Sequence, residues 1–296
     1  MSAAPTVLVT GAGGFVGRQV VAALRSRGDD VVAIEHRWRD IDEVSRALAG
    51  RIPASCVHLG WYARPSDYLT SVEGNRRSLD ASVDLVALLG RAGCEHLVVA
   101  GTCAEYGPGD ADLVETDPIA PWSVYGAAKA SFHLLLDSSL RPDGLTVAWA
   151  RLFNLTGPGE DRDRLLPMVT RSFLAGRAVD LSDGEQVRDF LDVSDVASAL
   201  ASLAGRRAEG TFNVCSGTGT SLRSLIGAIA ARLDASDLAR FGARPRGLHD
   251  HDRVVGDSRR LRATGWSPTH DLDGTISRLV DHWTSVEHRA PTPEGV

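Results

Sequence analysis

The chain has 296 residues, is 43 % hydrophobic and carries a formal net charge of −6, enough apolar mass for one large domain or two coupled ones. Its arginines are mostly separated by acids or apolar residues, leaving no basic stripe for a phosphate backbone, so nucleic acid is not expected as a partner. There is no apolar run long enough to span a membrane, no basic leader with a cleavage site, and no CxxC among the 4 cysteines. A cytoplasmic, non-membrane protein with reduced, buried thiols at Cys56, Cys94 and Cys215 is expected.

In chain order, TVLVT (6–10) reads as a strand, followed by GAGGFVG and the helical RQVVAALRSRG. DDVVAIE returns as a second strand, and a short helix is expected around 41–50. ASCVHLG, HLVVAG and LTVAWARLF give three more short apolar runs, separated by helix-length segments at 75–92 and 125–141. Strands alternating with helices at this spacing predict a parallel sheet covered on both faces. Beyond Asn154 the pattern changes. Gly, Pro and charge crowd 157–164, and helices near 165–176, 193–204 and 221–234 are interrupted by turns, predicting a second, smaller lobe over the C-terminal edge of the sheet. HRAPTPEGV reads as a frayed tail.

Gly11, Gly14 and Gly17 stand between the first strand and its helix. Such a turn lets a diphosphate approach backbone N–H groups and lets the helix pack closely on the strand. Glu35 ends the second strand, where a carboxylate accepts from both adenosine ribose hydroxyls and favours NAD. His36, Arg37 and Arg39 keep NADP as the alternative, since a guanidinium clasps a 2′-phosphate. Asp40 and Ile41 suit the adenine edge, or equally a helix N-cap and a core residue. Further on, SVYGAAKASF (123–132) puts Tyr125 and Lys129 on one helical face. Taken alone, the spacing suits a catalytic pair or a core-edge Tyr with a solvated Lys.

Taken together, GAGGFVG, VVAIE, CVHLG, GTCAEYG, SVYGAAK, RLFNLTGPG, VRDFLDVSDVA, GTFNVCSG and DSRRLRATGWSP resemble the extended short-chain dehydrogenase/reductase family, in family order from residue 7 to about 268. The likeness is to its nucleotide-sugar epimerases, dehydratases and reductases. It implies an α/β fold: a Rossmann-type doubly wound parallel sheet from residues 1–155 with a return segment near 189–216, and a smaller α/β substrate-binding lobe from 156–188 and 217–290. It also implies a homodimer packed through the two long helices of the first lobe.

The same resemblance implies a catalytic set. Tyr125 would serve as acid or base, while Lys129 holds the nicotinamide ribose and lowers the Tyr pKa, because a nearby ammonium favours phenolate. Thr102 would hydrogen-bond the oxygen at C4 of the sugar. Phe15 and Val16 in the glycine turn, with Leu59 and Gly60 in the third apolar run, join the cofactor residues. Asn154 and Arg188 would contact the substrate diphosphate, with Leu166 and Pro167 along the nucleotide edge. As ordinary residues, Asn154 suits a strand-end turn, Arg188 a partner for Asp189, and Leu166 and Pro167 core packing. Arg253 matches the family poorly. Asn75 suits helix capping better than a role in orienting the active-site backbone. His58, His96, His249 and His251 form no metal set, the last two lying in an expected exposed loop.

Departures from the family pattern narrow the chemistry. The 4,6-dehydratases carry Asp-Glu directly after the Thr, whereas Cys103 and Ala104 stand here, so elimination of water lacks its acid and base. The 3,5-epimerase/reductases place a Cys at the position of Ala104. Cys103 is one residue off, and its side chain is expected to point the other way if the strand continues. Glu105 replaces a usually apolar residue and would face either the sugar site or solvent. What remains is reduction of a 4-keto nucleoside-diphosphate 6-deoxyhexose by NAD(P)H, with a 4-epimerase that retains NAD as the alternative. A regulatory dinucleotide-binding protein without catalysis is the reading from another class. The short link between Glu35 and His58 omits a strand and helix around the adenine and tilts toward exchangeable cofactor and reductase.

Overall fold

In β1 (Thr6–Thr10), Val7 and Val9 point to one side and Leu8 to the other, and both sides are buried. That is the pattern of a strand with helices on both faces. The computed structural model, which describes residues 4–36, 38–247 and 250–289, repeats this alternation along the sheet. Val57, Val98, Ala148 and Ala150 fall on the Val7 side, and Cys56, Leu97, Val99, Val147 and Trp149 on the Leu8 side.

The chain continues through α1 (Phe15–Ser26), β2 (Asp30–Ile34), α2 (Ile41–Leu48), β3 (Ser55–His58), α3 (Val72–Arg91), β4 (His96–Thr102), α4 (Val124–Leu135) and β5 (Thr146–Leu152). There follow β6 (Asn154–Thr156), α5 (Leu165–Leu174), β7 (Val179–Leu181), β8 (Val187–Asp192), α6 (Val193–Arg206) and β9 (Gly210–Val214). Last come β10 (Gly219–Ser221), α7 (Leu222–Arg232), β11 (Ala239–Phe241), β12 (Arg253–Val254), α8 (Arg259–Ala263) and α9 (Leu272–Arg289).

Six strands form a parallel sheet in the order β2-β1-β3-β4-β5-β9. The chain leaves β1 toward β2 on one side and later returns to β3 on the other. This reversal opens a crevice at the C-terminal ends of β1 and β3, the place where doubly wound sheets bind ligands. β2 is the edge strand, with α2 alone between it and β3, in keeping with the short link. α1 buries Gly17, Val20, Val21 and Leu24, a helical stripe, against α6 on one face of the sheet.

The remaining elements gather a second core from α5, α7 and α9, with Leu166, Phe173, Leu225, Ile229 and Leu279 at its centre. β8 is their hub, pairing antiparallel with β10 and parallel with β6 and β12. α9 was absent from the sequence reading, although Ile276, Leu279, Val280 and Trp283 bury a helical stripe that was there to be read. Among the described residues no helix is long and apolar enough to cross a membrane. Most of the tail, residues 290–296, lies outside the described residues.

Candidate active site

The turn after β1 is built so that three backbones nearly touch. Gly11 has φ +70°, and a Cβ there would stand 2.8 Å from Gly60 N, while a Cβ on Gly17 would overlap the Gly11 carbonyl oxygen. Gly14 caps α1 without a side-chain acceptor, which leaves the amides of the first turn for an anion. Phe15 and Val16 open that helix and, with Leu59 and Gly60 beyond β3, line a cleft of about 1120 Å³. Glu35 stands at its rim just past β2, with 64 % of its side chain exposed. A cradle that any Cβ would fill, an uncapped helix start and a carboxylate beside them fit an adenine dinucleotide with a free ribose diol.

Trp38, which the sequence reading passed over, is buried with its ring over Gly60, where a Cβ would overlap it, and meets the His58 ring edge-on at 5.2 Å. Arg39 lies over Trp38 and donates to Ser78 Oγ at 3.1 Å, so its guanidinium is engaged with α3. Arg37 lies outside the described residues. Asp40 is the N-cap of α2, accepting from Glu43 N at 3.1 Å, and Ile41 packs on the core. Neither is among the cleft-lining residues, so capping and packing are the roles the structure gives them. His58 bonds Thr10 Oγ1 at 2.6 Å and Ser82 Oγ at 2.9 Å, and burial drives its pKa down to about 3, keeping it neutral.

At the far end of the cleft, β4 stops at Thr102 and Cys103–Glu105 make one 3₁₀ turn. The strand does not continue, so the pleat argument for Cys103 fails and its half-buried side chain lines the cleft. Thr102 Oγ1 accepts from Ala104 N at 3.2 Å, leaving its proton free to donate. Ser123 caps α4 through Gly126 N at 3.0 Å. Gly126 is required there because a Cβ would overlap the Ala104 carbonyl. The helix therefore starts against the Thr102 turn, bringing Tyr125 and Lys129 into the cleft beside Thr102.

Lys129 Nζ donates to Ala100 O at 2.7 Å and lies 3.9 Å over the Trp61 ring. Burial pushes its ammonium down to about 7, with the Glu105 charge acting the other way. Burial also pushes the Tyr125 phenol up, reinforced by Tyr68 and opposed by a hydrogen bond with Thr102. Desolvation is the largest influence on the phenol, which holds its proton at neutral pH.

Two further side chains frame Tyr125. Tyr68 meets its ring edge-on at 5.1 Å, and Arg164 lies 4.6 Å over Tyr68 and donates to its hydroxyl at 3.2 Å. Asn75 donates to the carbonyls of Tyr68 and Ser71 at 2.7 and 2.8 Å and accepts from Trp61 Nε1 at 2.8 Å. It is not a helix cap, a role taken by Ser71. It fixes the segment that carries both aromatic rings.

Glu105 faces neither sugar nor solvent. Its fully buried carboxylate accepts from Arg151 Nε at 2.8 Å and Trp149 Nε1 at 3.0 Å on β5, and from Thr102 N at 2.8 Å.

At the substrate end, Asn154 opens β6 and donates to Asp189 O at 3.3 Å while lining the cleft. Leu166 lines it too, whereas Pro167 is buried in the small lobe and does not. Arg188 donates to Asp250 Oδ1 at 2.8 Å. The neighbouring Asp189 points to the other side of β8, accepting from Ser216 N at 2.7 Å and Gly217 N at 2.9 Å, so it is not the partner of Arg188. Arg253 is paired with Asp112 and is not among the cleft-lining residues. His251 lines the cleft edge-on to Trp122 at 5.0 Å rather than sitting in an exposed loop, and His249 lies outside the described residues. Among the described residues no group of three or more His, Cys, Asp or Glu is suited to a metal ion.

Residues 7–215 match the model of the NAD dependent epimerase/dehydratase family. The chain belongs to this family. It is 28 % identical to a UDP-glucose 4-epimerase of Azospirillum brasilense over 97 % of this chain and 94 % of that one. It is 26 % identical to a dTDP-6-deoxy-L-talose 4-dehydrogenase (NAD(+)) of Aggregatibacter actinomycetemcomitans, over 84 % of this chain and 98 % of that one. Among solved structures it resembles the UDP-glucose 4-epimerase of Thermus thermophilus in complex with NAD, with a TM-score of 0.81 and 28 % identity over 94 % and 99 % of the two chains.

Within this NAD dependent family, the glycine turn and Glu35 are the residues of the chain that fit the cofactor. Trp61, Tyr68 and Arg164 are what the sequence reading missed. The signal was the aromatic cluster in WYARPSDY directly after the third strand, where a loop has no packing need for three large rings.

Proposed function

We propose that the protein reduces the C4 ketone of a nucleoside-diphosphate 6-deoxyhexose, using NADH. The observation that carries this reading is the turn after Thr102. It presents Cys103 and Ala104 to the cleft, and its one acid, Glu105, is turned away into Arg151. With no acid–base pair on the turn itself, it suits chemistry confined to C4. The likeness to a 4-dehydrogenase of a dTDP-6-deoxy sugar supports it, because a dehydrogenase run backwards is a ketoreductase.

NADH, when bound, supplies the hydride to C4. Tyr125, protonated by virtue of its burial, gives the alcohol proton, and the Thr102 hydroxyl donates to the same oxygen and orients it. Asn154 and Arg188 hold the diphosphate, so that affinity remote from the ketone becomes orientation at it. The 4-epimerase is the second reading, favoured by the likeness to UDP-glucose 4-epimerases along nearly the whole chain.

Incubation of cofactor-stripped protein with 4-keto sugar nucleotides and added NADH, and with 4-hydroxy sugar nucleotides and added NAD, separates the two. The expected product is about two daltons heavier than the ketone, with equimolar loss of NADH absorbance. An equal-mass epimer of a 4-hydroxy sugar without net cofactor loss would establish the epimerase instead.

Coenzyme choice follows from Glu35, whose carboxylate accepts from a ribose diol and repels a 2′-phosphate, while Arg39, which also lines the cleft, donates to Ser78 Oγ. NADH is expected to bind roughly tenfold more tightly than NADPH, and Glu35→Ala to narrow that gap. Fluorescence titration of both dinucleotides measures it. Tighter NADPH binding by the wild type would remove Glu35 from this role.

A further inference from the structure

The proposed reaction makes no use of Glu105, yet the fold is arranged around it. A Cβ on Gly101 would stand 2.7 Å from Glu105 Oε1 and would overlap Trp149 Nε1, so glycine there lets the carboxylate lie flat against β4. On the opposite side Gly126 lets α4 press on the Ala104 carbonyl. The turn bearing Thr102 and Cys103 is thus clamped between a helix and a strand, with the Glu105 carboxylate closing it as a capping box on the Thr102 amide. The carboxylate is itself held by Arg151, which lies 4.3 Å over the Tyr106 ring and donates to Glu115 O at 3.2 Å. His133 also approaches, 3.8 Å from Glu105 Oε2 and stacked on Trp149, but burial pushes it down to about 4 and leaves it neutral. The ionic partner of Glu105 is therefore Arg151.

We propose that Glu105 is a positioning residue: anchored by Arg151 and Trp149, it fixes the Thr102 amide and thereby the direction in which the Thr102 hydroxyl meets Tyr125 and the substrate oxygen. The substrate half of this statement rests on the function proposed above. Because Asn154 and Arg188 lie on other elements, loss of the clamp is felt in kcat and spares KM.

Glu105→Gln keeps an acceptor for the Thr102 amide but leaves the buried Arg151 charge without its counter-ion, and on its own risks misfolding. Glu105→Val combined with Arg151→Met removes the whole pair and refills the space with apolar atoms, which folded proteins tolerate. In NAD-loaded protein without sugar, amide hydrogen exchange at residues 102–106 is expected to quicken about tenfold in the double variant, with the rest of β4 and α4 unchanged. On whichever 4-keto or 4-hydroxy sugar the wild type converts, kcat is expected to fall by about 10–100-fold with KM within about twofold, and Glu105→Gln to lie between wild type and the double variant. Unchanged exchange at the turn, faster exchange throughout the sheet, unchanged kcat, or a loss confined to KM would each overturn the proposal. Should the wild type convert none of the sugars, the reductase and epimerase readings fall, while the exchange measurement still decides whether Glu105 fixes Thr102.

Discussion

Tyr125→Phe is expected to lower kcat by about 10²–10⁴-fold while leaving NAD affinity unchanged. The substitution removes one proton and one hydrogen bond to Thr102 but keeps the ring, its edge-on contact with Tyr68 and the start of α4 against the Ala104 carbonyl. Nothing else at the end of β4 replaces the lost donor. Cys103 has its thiol pushed up to about 12 by burial, and Glu105 is bound to Arg151. Steady-state kinetics beside a dinucleotide titration would show the split. Turnover at the wild-type rate would take Tyr125 out of the reaction.

Lys129→Met is expected to abolish most turnover and yet to stabilise the cofactor-stripped protein. Burial holds this ammonium down to about 7 from the ordinary 10.5, so between those values the unfolded chain carries a proton that the folded chain has released. Wild-type stability therefore rises with pH across that window, by up to about 1.4 kcal/mol per unit. At pH 7 and below, the full cost of burying the charge is present. The Met variant has no such group, so its advantage is greatest at or below pH 7 and shrinks toward pH 10. Loss of the bond to Ala100 O and of the Trp61 contact shifts the baseline, which makes the trend with pH the diagnostic. Thermal melts of both proteins at pH 6 and pH 9 measure it, and an advantage that grew with pH would contradict the assignment.

What the sequence displayed was chemistry that is local in the chain. A glycine turn between a strand and a helix, and a Tyr and Lys one helical turn apart, carry their geometry in their spacing, and each lies in the cleft. The alternating apolar runs announced the parallel sheet because both of its faces are covered. Contacts across the sheet were not legible. Glu105 finds Trp149 and Arg151 on a neighbouring strand more than forty residues later, and no pattern within GTCAEYG announces that partner. Cys103 departs from its expected direction for a related reason. A pleat can be extrapolated only while the strand lasts, and here it ends one residue earlier. Asn75 sits where a cap is plausible, but Ser71 had already filled that place.

The position of α6 limits how the molecule can be divided. This helix begins where β8, the hub of the small lobe, ends, yet it buries Val196, Leu200 and Leu203 against the stripe of α1 under the large sheet, and β9 beyond it closes the edge of β5. A fragment cut off near residue 155 would expose both that stripe and an open strand edge, an invitation to aggregate. The cofactor half is thus not excisable as a continuous piece of chain. Inserting a tag or splitting the polypeptide for reassembly is better tolerated at a loop whose flanks return to the same lobe.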